Sequence, residues 1–193
     1  MVEPFGLFDL ARSCLVVIDV QQYFLDKLPV ERRVPLVGRV VWLMKLAAAL
    51  DIPIIATAED IASNGGLVGE VMTALPGKQK IFDKMVFGLC GQQDILEAVH
   101  QTGRDEFVLV GLETDVCICH SALGLLELGF RVAAISDATA SPAPHHDAGL
   151  VRMRQAGVMI TDTKGIHYEW MRDVASLARV ETLRRNLPPG MTL

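Results

Sequence analysis

Residues 107–138, FVLVGLETDVCICHSALGLLELGFRVAAISDA, change structural period twice within one short stretch. Phe107, Val108, Leu109 and Val110 form a continuous apolar run that stops at Gly111. Residues 114–128 then space their apolar side chains as a helix does, and Gly129 stands where a left-handed cap would close it. A second apolar run follows over residues 131–135. Unbroken apolar runs, as opposed to alternating ones, mean strands covered on both faces. A helix joining two of them is the crossover of a parallel sheet.

The same alternation extends in both directions. Residues 14–18 read as a first strand ending at Asp19, and residues 36–50 as a long helix apolar on most faces. Residues 52–57 read as a second strand, with Pro53 near its start, where a missing N–H is tolerated. Residues 63–69 are a glycine-bearing loop, and residues 80–84 a short strand ending at Lys84. Helices are expected over 92–101 and 146–155, a last strand over 158–160, and a helical tail over 165–186 ahead of Pro188 and Pro189. The expected fold is a three-layer α/β/α sandwich around a mostly parallel six-stranded sheet. It is one domain over 1–193, with a core of about 12–173. In such sheets the ligand crevice lies outside the carboxyl ends of the strands, where strand order reverses.

Bulk properties narrow the function classes. At 193 residues, 51% hydrophobic and 21% charged, the chain has a globular composition and enough length for a sizeable core. A net charge of −5 argues against a nucleic-acid partner. No apolar stretch approaches a membrane span, and the first twenty residues lack a basic segment followed by a long apolar one. A soluble, cytoplasmic protein is expected. Its cysteines, Cys14, Cys90, Cys117 and Cys119, are then expected as thiols, and they lack the paired spacing of a structural zinc site.

Three residues follow strands closely enough to meet the crevice rule: Asp19, Lys84 and Cys117. Cys117 is open to four readings: packing filler, metal ligand, redox partner of Cys119, or nucleophile. The N-terminus of a helix favours a thiolate and offers N–H groups to an oxyanion. A free cysteine is equally at home as a small buried apolar residue, which is the reading for Cys119. Asp19 is either a solvated loop acid or a partly buried base for the thiol proton. Lys84 alone reads as a snorkelling surface lysine, but beside an Asp and a thiol it would hold both ionised. Among the histidines, His100 and His120 fall in helices and His167 near the tail. His145 and His146 are within reach of the crevice, with a substrate or proton role open. Gly65, Gly66 and Gly69 lack the Lys-Ser/Thr ending of a phosphate loop.

Taken together, these pieces resemble the isochorismatase-like cysteine hydrolases, a family that includes nicotinamidases and other amidohydrolases. The matching segments are Val17-Ile18-Asp19-Val20-Gln21 with Phe24, Lys84 with Phe87, and Gly111-Leu112-Glu113-Thr114-Asp115-Val116-Cys117. Later segments, Ser136-Asp137-Ala138-Thr139 and Arg152-Met153-Arg154-Gln155-Ala156-Gly157, look most like the stand-alone hydrolases of that family. The resemblance implies a catalytic triad of Asp19, Lys84 and Cys117. It also implies a cis peptide between Leu112 and Glu113, an oxyanion hole from the backbone N–H groups of Glu113 and Cys117, and a substrate pocket lined by Phe24 and Phe87. Metal-binding nicotinamidases carry Asp-x-His and a further His between the second strand and the lysine. This chain has no histidine before His100, so no metal and no cofactor are expected.

The expected activity is hydrolysis of a small amide or related C–N bond through a thioester acyl-enzyme. The alternatives are isochorismatase-type vinyl-ether hydrolysis, in which Asp19 supplies the key proton, and a non-catalytic scaffold. A third is a redox sensor built on Cys117 and Cys119. The expected partner is a small-molecule substrate. The apolar helix over 37–50, with Trp42, suggests a homo-oligomer, a dimer or higher.

Overall fold

All six positions of β1 (Ser13–Ile18) are buried, and its neighbours explain why. In the computed structural model, which describes residues 6–77 and 79–193, β1 lies in the middle of a six-stranded sheet. Met1–Phe5, part of the N-terminal stretch read above, lie outside the described residues. The other strands are β2 (Ile54–Glu59), β3 (Ile81–Lys84), β4 (Glu106–Leu112), β5 (Arg131–Ala140) and β6 (Met159–Thr161). They run in the order β3-β2-β1-β4-β5-β6, every pair parallel. Strand order therefore reverses between β1 and β4, and the crevice rule points to their carboxyl ends.

Alternate residues of each strand feed two different cores. Leu15 and Val17 of β1, with Val108 and Val110 of β4, pack on one face. The helices covering that face are α2 (Val30–Ala49), through Val40, Leu43 and Met44, and α8 (Thr163–Met171), through Ile166 and Trp170. Cys14, Val16 and Ile18, with Phe107 and Leu109, pack on the other. There the cover is α5 (Gln93–Gln101), α6 (Cys119–Glu127) and α7 (His145–Ala156), through Ile95, Leu125 and Met153. Each fully buried Leu, Ile or Val contributes about 1.5–3 kcal/mol relative to exposure. The result is the three-layer sandwich. The shorter helices are α1 (Gln22–Leu25), α3 (Ile61–Asn64), α4 (Gly69–Ala74) and α9 (Glu181–Arg185). Among the described residues no helix is long and apolar enough to cross a membrane.

Several boundaries differ from the sequence reading, each for a local reason. The long helix begins at Val30 and runs through Pro35, whose ring removes the N–H that would bond the Glu31 carbonyl, a loss at the second turn that does not end the helix. Its first turn is braced from outside: Arg33 donates to the Leu28 carbonyl at 3.0 Å and to Asp26 Oδ1 at 2.8 Å. Residues 61–64, which overlap the start of the expected 63–69 loop, form a helical turn, capped where Asp60 Oδ1 accepts from Ser63 N. The tail is not one helix. It breaks after Met171, where Arg172 has a φ of 65°, and resumes as a 3₁₀ segment (Ala175–Val180) and α9.

Trp42 is not an interface residue: it is 3% exposed, and its indole N–H donates to the Leu183 carbonyl at 3.0 Å. The C-terminal tail has covered it. Gly111 reaches a φ of 119°, and a Cβ there would run into the Ile18 carbonyl oxygen, so β4 passes β1 this closely only with glycine.

His167 on α8 is fully buried against Trp42 and Tyr168, and neither ring nitrogen has a hydrogen-bond partner. Burial, reinforced by Arg184, pulls its pKa from 6.5 down to about 4. The folded state therefore keeps the imidazole neutral while the unfolded chain protonates it, so stability falls as pH drops from 6.5 towards 4. Urea denaturation at pH 7.5 and 4.5 should show the wild type losing about 2–3 kcal/mol more than His167→Phe over that interval. Equal losses would show that His167 does not govern the acid limb.

Candidate active site

Four adjacent strands deliver one polar cluster at their carboxyl ends. Asp19 follows β1, its N–H extending the ladder to the Thr57 carbonyl at 3.0 Å. It then turns with a φ of 53°, a left-handed conformation that Asp tolerates better than most residues. Glu59 ends β2 and Lys84 ends β3, and the parallel register places them opposite each other. β4 ends at Leu112, the Leu112–Glu113 peptide is cis, and a wide π-type turn (Thr114–Ile118) carries Cys117. That turn is closed where Ile118 N donates to the Glu113 carbonyl at 3.1 Å.

The Lys84 ammonium sits at the centre, with its side chain wholly buried. It lies 2.9 Å from Asp19 Oδ2, 3.6 Å from Cys117 Sγ and 3.5 Å from Glu59 Oε2, and donates to the Val86 carbonyl at 2.8 Å. Asp19 Oδ1 accepts from Thr57 Oγ1 at 2.8 Å. The thiol donates to Glu59 Oε2 at 3.1 Å. Asp19, Glu59 and Cys117 together offer three ligand atoms of the kind that holds a cation. The ammonium already stands among them and supplies their positive charge.

Burial sets the protonation states. Desolvation raises the Asp19 pKa, and the Lys84 charge with hydrogen bonds from Lys84 and Thr57 offsets only part of that. Burial alone would lower the Lys84 pKa, but Asp19, Cys117 and Glu59 leave it raised. The Cys117 thiol is pushed far up, by burial first and then by the charge of Asp19, with Glu59 adding to it and Lys84 opposing. This reverses the thiolate expected from a helix N-terminus. Cys117 precedes α6 and is itself 2% exposed, and desolvation beside two carboxylates outweighs the helix ends.

The remaining sequence candidates occupy varied places. Phe24 is buried in a small cluster with Leu112. Phe87 is 57% exposed, its ring edge-on to His120, while its carbonyl lies 3.4 Å from the Lys84 ammonium. Cys119 is fully buried in the core. His146 Nδ1 is 2.8 Å from Thr114 Oγ1, so it braces the turn that bears the thiol, and His145 is exposed. Gly149 of α7 lies against Asp115 of that turn, where a Cβ would come within 2.8 Å of the Asp115 Cα.

Sequence reasoning gave no role to Glu59, Thr57, Gln21 or Lys27. Buried Gln21 clamps the Glu59 backbone, accepting from its N–H at 2.7 Å and donating to its carbonyl at 2.8 Å. Lys27 pairs with Glu113 at 3.3 Å and lies over the Phe24 ring. The strand-end rule that singled out Asp19 and Lys84 applies equally to Glu59, one strand over.

A family model described as the isochorismatase domain matches residues 13–165 of this chain. The chain belongs to the isochorismatase family. Within that family it is 30% identical over 166 residues to isochorismatase family protein 1A of Dictyostelium discoideum, covering 83% of this chain and 79% of the relative. It is 28% identical over 171 residues to a secreted isochorismatase effector, Isc1, of Phytophthora sojae, covering 85% and 79%. The crystal structure of the Escherichia coli YcaC gene product, an octameric hydrolase of unknown specificity, superposes with a TM-score of 0.88. That pair shares 25% identity over 97% of this chain and 93% of the other. An isochorismatase-family hydrolase with a parallel six-stranded sheet is thus shown for this chain.

Proposed function

We propose that the chain is a metal-independent, thiol-dependent hydrolase of a small amide or related C–N bond. The observation that carries this reading is one buried contact set joining three strand ends, Asp19 to Lys84 at 2.9 Å and Lys84 to Cys117 at 3.6 Å. A buried Asp with a raised pKa is a stronger base than an ordinary carboxylate. It takes the thiol proton as sulfur attacks the carbonyl carbon, and the N–H groups of Glu113 and Cys117 hold the resulting oxyanion. As the C–N bond breaks, Asp19 returns the proton to the departing nitrogen, leaving a thioester. Water then attacks the thioester, its proton passing to Asp19. The S–C bond breaks, the thiolate recovers that proton, and the acid leaves. Lys84 stays protonated and balances whichever of Asp19 and Cys117 is anionic. Phe24 and Phe87 line the substrate pocket.

The test is an ammonia-release screen over small amides and ureides, in chelator-treated buffer, with acid-quenched protein mapped by mass. The expected result is release at a chelator-independent rate and an acyl adduct on the Cys117 peptide. Release that chelation abolishes and a divalent ion restores would overturn the metal-independent reading. The raised Asp19 also favours a second reading, proton donation to a vinyl ether, for which the thiol is dispensable. Self-association belongs to the same proposal. It is supported by Val30 and Val34, 70% and 68% exposed on α2, and by the octamer of the E. coli relative.

A further inference from the structure

Glu59 has no part in the mechanism above, yet it stands against the reacting atom. Its Oε2 is 3.1 Å from Cys117 Sγ and 3.5 Å from the Lys84 ammonium. Its side chain is 18% exposed, where those of Asp19 and Lys84 are wholly buried, so it lies on the solvent side of the pair. Its position is held from behind, because fully buried Gln21 bonds both its backbone N–H and its carbonyl. A carboxylate is an acceptor only. With that acceptor 3.1 Å from the sulfur, a carbonyl brought to the thiol can set its neighbouring substituent against it. An N–H donor there replaces the S–H bond that Glu59 loses when the thiol ionises. A carboxylate there meets like charge in a site with little water to screen it.

We propose that Glu59 is the substrate-selecting residue. It admits neutral or cationic small molecules carrying an N–H donor beside the scissile carbonyl, a ureido or primary amide group, and rejects those with a carboxylate at that place. The inference rests on Cys117 as the nucleophile, and its test separates the two.

Cys117 of the full chain is alkylated with iodoacetamide or iodoacetate, the site being assigned by peptide mass. In both reactions the S–C bond forms and iodide leaves; the reagents differ only in an amide against a carboxylate. Each rate is divided by that for 2-mercaptoethanol, which removes the reagents' intrinsic difference. The wild type should prefer iodoacetamide by about tenfold or more. Glu59→Gln should bring the normalised ratio to within about twofold of unity, and Glu59→Asp, which keeps the charge, should retain a preference. Glu59→Gln should also react faster with both reagents, since the Glu59 charge holds the thiol proton. A normalised wild-type ratio of one overturns the inference with no variant needed, and so does a preference unchanged in a folded Glu59→Gln protein. Absence of Cys117 modification by either reagent overturns the thiol reading beneath it instead.

Discussion

Cys117→Ala is expected to lower amide turnover by at least about 10⁴-fold while the protein stays folded. The size follows from the covalent step, since without the sulfur there is no thioester and only binding and oxyanion contacts remain to assist water. Folding should be little affected, because the thiol contributes one sulfhydryl bond to Glu59 and a contact with Lys84. Thermal midpoints of the two proteins should agree within a few degrees, a shift corresponding to about 1 kcal/mol or less. Turnover that survives the substitution unchanged removes Cys117 from the mechanism and leaves proton donation by Asp19 as the better reading.

Lys84→Met is expected to do double damage. The ammonium is wholly buried and holds Asp19 at 2.9 Å, so its loss leaves a carboxylate without a counter-charge in the interior. Breaking a buried pair on one side typically costs about 3–5 kcal/mol. Asp19 already has a pKa raised by burial, and Lys84 is its largest opposing influence, so removing the lysine raises it further. The folded variant then binds a proton that the unfolded chain releases. The Asp19 contribution to stability is fully present below the unfolded-state pKa and is lost as pH rises towards the new folded-state pKa. Urea denaturation should therefore show a deficit against the wild type that is larger at pH 9 than at pH 6. Adding Asp19→Asn should recover part of the loss, because the orphaned charge is gone. Hydrolysis should be lost at both pH values. A deficit independent of pH would mean that Asp19 is not the group left uncompensated.

The fold was legible because β1 and β4 are apolar at consecutive positions, which no amphipathic element permits, and because glycines such as Gly129 end the helix between strands. Boundaries were less legible where tertiary contacts override local signals. The long helix reads as starting at Leu36, yet it begins at Val30, where Arg33 braces a turn ahead of Pro35. The tail reads as one helix, yet it breaks at Arg172 and folds back over Trp42.

Of the site, the positions of Asp19, Lys84 and Cys117 after strands could be read along the chain, since a charge or thiol ending an apolar run is a local feature. The same rule reaches Glu59, but not its place beside the sulfur. A glutamate after a strand is ordinarily solvated, and only the β2–β3 register sets it opposite Lys84 and so beside the sulfur. The sequence by itself determined the parallel sheet and which of its ends carries the polar cluster, because apolar periodicity and strand-end residues are written in one dimension. The protonation of the thiol was decided only by tertiary structure. It depends on how deeply four strand ends bury the sulfur and how many carboxylates they bring to it, and those distances exist only in the folded chain.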